Sequence, residues 1–125
     1  MRKVDTIQIQ TEPDIISARM RVRELARSAG FRTTDQARIS LATSSLAHAV
    51  GLGGKYEGEI SIGHPNGDHN KGITVVCFVC CGGKGDGFKS VANHAFRDVQ
   101  WMVDELNVET TSANDVQITL IKWKA

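Results

Sequence analysis

The sequence predicts an α/β two-layer sandwich, in which a mixed, mostly antiparallel sheet is covered on one face by helices. Two observations lead there. Segments whose apolar residues alternate and segments whose apolar residues recur every three or four positions follow the order strand, helix, helix, two strands, helix, two strands. Neighbouring strands beside segregated helices argue against a doubly wound parallel sheet, which needs strict alternation. A chain of 125 residues is long enough for one continuous core and too short for two, so residues 1–125 are expected to form a single domain.

The first strand is expected over Val4 to Thr11, where Ile7 and Ile9 alternate with Gln8 and Gln10. From Asp14 the period changes. Ile15, Ala18, Val22, Leu25, Ala26 and Ala29 share one helical face, arginines at 19, 21, 23 and 27 fall between them, and Gly30 caps the end. Thr33 with Gln36 has the spacing of a capping box. It opens a second helix with a broad apolar face of Ala37, Ile39, Leu41, Ala42, Leu46, Ala47 and Val50, ending near Gly51, Gly53 and Gly54.

Tyr56 to Gly63 and Ile73 to Cys80 read as a hairpin joined by the turn-forming residues 64–70. The second of these strands is apolar almost throughout, as a central strand should be. After the glycine-rich stretch from Gly82 to Gly87, Ser90 can cap a third helix with Ala92, Phe96, Val99, Val103 and Leu106 on one face and Asn107 as terminator. A closing hairpin is expected from Val108 to Thr111 and Val116 to Trp123, with its turn at residues 112–115.

Fifteen basic residues against fourteen acidic ones leave a net charge of +1, which removes any bulk electrostatic reason to expect nucleic-acid or membrane binding. No apolar run approaches spanning length, and the start lacks a signal-like apolar stretch, so a cytoplasmic protein is expected. Cys77, Cys80 and Cys81, odd in number and clustered, do not read as a disulfide framework.

Several phrases carry a family resemblance. Thr11-Glu12-Pro13-Asp14-Ile15 before the first helix, Gly30-Phe31 followed by Asp35-Gln36-Ala37-Arg38-Ile39, and the closing Ile121-Lys122-Trp123, set in this order of elements, resemble the histidine-kinase-like (GHKL) ATPase superfamily. The likeness is to its small branch of anti-sigma factors and stress-response switch serine kinases. It covers nearly the whole chain and implies a Bergerat-type ATPase fold.

In that superfamily a helix motif Glu-Leu-x-x-Asn supplies a carboxylate for the attacking group and an amide oxygen for Mg²⁺, four residues apart on one helical face. The matching stretch here is Ser45-Leu46-Ala47-His48-Ala49. Ser45 replaces the acid, and the Ala49 methyl offers a hard cation no lone pair. The adenine-contacting Asp of Asp-x-Gly-x-Gly is matched by Val79, or by a neighbour if the register slips, ahead of Gly82 and Gly83, with no acidic residue between Ile73 and Lys84. The stretch from Gly82 through Gly85 to Ser90 is shorter than the superfamily's glycine-rich lid.

The resemblance therefore implies a pseudokinase-like regulator whose vestigial pocket, Ser45, His48, Ala49, Val79, Gly82, Gly83 and Gly85, needs no cofactor. Protein partners of the STAS-domain, sigma-factor or phosphatase kind are implied, with a homodimer as a further analogy. The alternative is an active ATP- and magnesium-dependent serine/threonine kinase with divergent contacts.

Other sites are weaker. Cys77-x-x-Cys80-Cys81 with His64 and His69 has zinc-like ligand types, but positions 77 and 80 of a strand face opposite ways, so no metal site is expected. Cys81, at the strand end, could be a reactive thiol. Ser45 with His48 invites a nucleophile-and-base reading without a third group to orient it, against the plainer one of an exposed helix histidine. His64 and His69 read as solvated turn residues, and His94 as a first-turn helix residue without an assigned role. The arginines Arg19, Arg21, Arg23, Arg27, Arg32 and Arg38 read either as a solvated face or as a surface for an acidic partner.

Overall fold

The computed structural model describes residues 1–65, 71–80, 96–113 and 115–124. Its elements are β1 (Arg2–Ile9), α1 (Glu12–Ser28), α2 (Thr33–Ala49), β2 (Glu57–His64), β3 (Gly72–Cys80), β4 (Glu105–Thr110) and β5 (Val116–Trp123), with residues 96–100 also helical. The strands form one sheet in the order β1-β2-β3-β5-β4, and every pairing is antiparallel. This is the expected two-layer α/β sandwich, with both expected hairpins in place. Cys81, Gly82, Gly83, Gly85, Ser90, Ala92 and His94 lie outside the described residues, as do His69 and most of the expected 64–70 turn, and Asn114 of the last turn.

Cross-strand partners share a face, and the register therefore sorts the sheet into two surfaces. The rungs Ile7–Ile60–Cys77–Ile118–Val108 and Ile9–Gly58–Val79–Val116 belong to the helix-covered surface. Their buried members join Ile15, Ala18, Val22 and Ala26 of α1 and Ile39, Ala42, Leu46 and Ala47 of α2 in one core. The rungs Thr6–Ser61–Val76–Thr119–Asn107 and Gln8–Glu59–Phe78–Gln117–Glu109 make the other face. On it Thr6 Oγ1 lies 3.1 Å from Ser61 Oγ, and Gln8 Nε2 donates to Glu59 Oε2 at 2.9 Å. Among the described residues no helix is long and apolar enough to cross a membrane.

Both long helices end in the same way. After α1, Gly30 N–H donates to the Arg27 carbonyl and Phe31 N–H to that of Ala26; after α2, Gly51 N–H donates to His48 and Leu52 N–H to Ala47. These are Schellman closures, and the positive φ of Gly30 (84°) and Gly51 (77°) explains the choice of glycine. Each closure sends the next apolar residue, Phe31 or Leu52, into the core.

Four local expectations are corrected. Thr33 lies inside α2, whose N-cap is Arg32 without a side-chain hydrogen bond, so the Thr33–Gln36 box does not form; Gln36 Nε2 instead donates to the Phe31 carbonyl at 2.8 Å. Ala37 and Leu41, assigned to the apolar face of α2, are exposed, because the core side of α2 is set by Ile39, Ala42 and Leu46. Leu106 and Asn107 belong to β4 and do not continue a helix. Asp104 N–H donates to the Ile121 carbonyl at 2.9 Å, committing the chain to the sheet; Leu106 and Val108 fit a period of two as well as Val103 and Leu106 fit a period near three. His64 is buried at the end of β2, not solvated, and its Nδ1 donates to the Gly72 carbonyl at 2.9 Å.

Candidate functional site

The stretch Ser45-Leu46-Ala47-His48-Ala49 forms the last turn of α2. Leu46 and Ala47 are buried and hold the turn to the core, Ser45 is half-buried, and His48 and Ala49 are exposed. His48 Nε2 lies 3.0 Å from Oε2 of Glu12, in the first turn of α1. Ser45 makes no hydrogen bond to His48, so the geometry joins an acid to the histidine but no nucleophile. Glu12 stands 36 residues away from its partner, and the sequence carries no local signal for the pairing.

The start of α1 beside it is held by Asp14. Its carboxylate Oδ2 accepts from the backbone N–H of Gln10 at 2.9 Å and of Thr11 at 3.0 Å, and from the Thr11 hydroxyl at 3.2 Å. These bonds, that from Gln10 first, hold the Asp14 pKa below the usual carboxylate value, because they favour the charged form. The Thr11–Asp14 phrase is thus a helix cap and does not by itself form a ligand site.

Val79 lies in β3 between Gly58 of β2 and Val116 of β5, on the helix-covered face and fully buried. Cys77, two residues earlier on the same face, is also buried, and burial pushes its thiol up to about 12. Cys80 points the other way and is exposed. Its pKa is raised by partial burial and then by the carboxylates of Asp115, Glu59 and Glu57. Neither thiol is activated, since an activated thiol needs a lowered pKa. Among the described residues no three His, Cys, Asp or Glu side chains come together in a way that could hold a metal ion.

At the opposite end of α2 the structure joins two of the phrases that carry the resemblance. Lys122 Nζ of β5 lies 3.7 Å from Asp35 Oδ1 in the first turn of α2 and 3.8 Å from Asp104 Oδ1. Arg38 Nη1 is 3.6 Å from the same Asp35 oxygen. Trp123 completes the cluster, its backbone N–H donating to Asp104 Oδ2 at 2.6 Å and its indole Nε1 to Glu105 Oε2 at 2.7 Å. With Lys122 and Asp35 only 12% and 10% exposed, these charges clamp α2 to the last two strands.

The arginine surface read from the sequence gains apolar members in the structure, which the sequence did not reveal. Arg19, Met20 and Arg23 of α1 and Ala37, Ser40 and Leu41 of α2 line a cleft of about 270 Å³. Ser40 Oγ donates to the Arg19 carbonyl at 3.4 Å across it.

The fold and these ends define a small α/β protein in which a five-stranded antiparallel sheet carries two long helices on one face. No protein-family model matches the chain. It is 30% identical to the serine/threonine-protein kinase RsbT of Bacillus subtilis (strain 168), over an alignment 141 positions long, gaps included, that covers 98% of each protein. The chain belongs to the family of this kinase, in agreement with the serine-kinase resemblance of its sequence.

Proposed function

We propose that the chain is a regulatory protein-binding member of this family, related to the GHKL ATPases, that does not hold Mg-ATP in the usual way and acts by docking to signalling partners in the cytoplasm. The observation that carries this reading is the last turn of α2. It offers the half-buried hydroxyl of Ser45 and the exposed methyl of Ala49 where the superfamily places a carboxylate and a metal-binding amide. Val79, buried among apolar neighbours, supports it, because an adenine amino group needs an acceptor at that place and an isopropyl group is none. The partners implied by the resemblance are a STAS-domain antagonist, a sigma factor or a phosphatase. Calorimetric titration with Mg-ATP is expected to give no binding up to millimolar nucleotide, and micromolar binding would overturn the reading.

The second reading is an active serine/threonine kinase with divergent nucleotide contacts. The full-length likeness to a protein named as such a kinase favours it. Incubation with γ-labelled ATP and candidate STAS-domain proteins decides between the two. Phosphate transfer to a serine of the partner would establish the kinase, and its absence alongside stable complex formation would establish the docking module.

A further inference from the structure

We infer that the cleft between α1 and α2 seats an amphipathic helix of a partner protein whose apolar ridge is flanked by aspartate or glutamate; this rests on the docking reading above and names the surface that would carry it. Three large apolar side chains crowd this surface and face water: Ile16, 48% exposed, Met20, 63%, and Leu41, 51%. Met20 and Leu41 both line the cleft, and Ile16 lies one helical turn before Met20. Exposed apolar residues gathered in one place mark interaction sites more often than isolated ones do.

Charge specifies the occupant. Arg19 and Arg23 line the same cleft, and Arg27 continues their row one turn further. Among the described residues these three make no ion pair, whereas Arg21 pairs with Asp5 and Arg38 with Asp35. Among the described residues no carboxylate lines the cleft. The nearby acids are engaged elsewhere: Glu12 meets His48, Asp14 caps α1, and Glu24 lines a separate cleft with Asp5 and Arg21. Guanidinium groups without an ion-pair partner among the described residues, set beside an apolar floor, suit carboxylates flanking an apolar ridge. The shape points to a helix. A groove between two packed helices accepts the ridge of a third, and anchors one turn apart, at 16 and 20 and at 37 and 41, match the spacing of such a ridge.

The test is calorimetry of the full chain against the STAS-domain proteins, sigma factors and phosphatases of the source organism. Wild type is compared with Met20→Glu, with Leu41→Glu on the other helix, and with the double variant Arg19→Glu, Arg23→Glu. Thermal melts should be unchanged, because all four side chains are exposed. Each apolar-to-acid change is expected to weaken binding by about thirtyfold. The arginine reversal is expected to weaken it by about tenfold and to flatten its salt dependence.

Wild-type binding that all three variants leave unchanged would overturn the cleft while sparing the docking reading, and a wild type that binds none of the partners would overturn both. Two other occupants are checked with the same proteins. A wild-type dimer in sedimentation that Met20→Glu converts to monomer would assign the cleft to a second copy of this chain. Cosedimentation with anionic phosphatidylserine vesicles, lost in the arginine variant, would assign it to a membrane surface; either result overturns the acidic-helix proposal.

Discussion

At its first turn α2 meets the sheet through charge: Asp35 faces Lys122 and Arg38, and Lys122 reaches on to Asp104 at the entry to β4. At its last turn α2 offers Ser45, His48 and Ala49, and among the described residues the one side-chain polar link there is the exposed His48–Glu12 pair. The difference shows what the resemblance rests on. Asp35, Lys122 and Trp123, which carry much of it, fasten a helix to strands, and Thr11 with Asp14 starts another helix. Residues of this kind report a shared scaffold. They would persist in a protein whose other end had changed its chemistry, which is why full-length likeness to a kinase leaves room for a binding module.

The comparison breaks most visibly at Val79. Val79→Asp is expected to cost about 3 kcal/mol or more in urea unfolding, because a carboxylate would replace a fully buried isopropyl group between Gly58 and Val116. A loss below about 1 kcal/mol would mean that the side chain reaches water, as in an open nucleotide pocket, and would count against the docking-only reading.

At the charged end, Lys122→Met should cost about 2 kcal/mol by leaving Asp35 largely buried with Arg38 as its remaining partner. The double variant Asp35→Asn, Lys122→Met should lose less than the sum of its single changes, and strict additivity would show that the pair does not clamp the helix. At the start of α1, Asp14→Asn should lower the melting temperature at pH 7. The lowered folded-state pKa means that the contribution of Asp14 is complete above the ordinary aspartate value, about 4, and is lost as pH falls through the lower folded value. Melts of the two proteins should therefore converge toward pH 2. The smallest effect is expected for His48→Ala, within about 0.5 kcal/mol at neutral pH, since both partners of its contact with Glu12 are exposed.

Much of this was legible beforehand. Local periodicity located both long helices and the two hairpins, whereas the strand holding Val79 is apolar almost throughout and its parity did not say which face Val79 takes. A helix that runs on to Asn107 is overextended because residues 103–108 satisfy both periods, and the pairing with β5, from the Asp104–Ile121 hydrogen bond onward, separates them. Ala37 and Leu41 were misplaced because a helix as apolar as α2 does not reveal which of its faces a sheet will cover.

By itself the sequence determined the two long helices and where they close, the strands other than the start of β4, and which residue types stand at the positions of the kinase motifs, because propensity, capping and parity act over a few residues. Only the tertiary structure decided that β5 lies between β3 and β4, that Lys122 meets Asp35, that Glu12 meets His48, and that Met20 and Leu41 share a cleft lined by Arg19 and Arg23. Those pairings join residues far apart in the chain, and they are chosen by how the layers bury their apolar faces together.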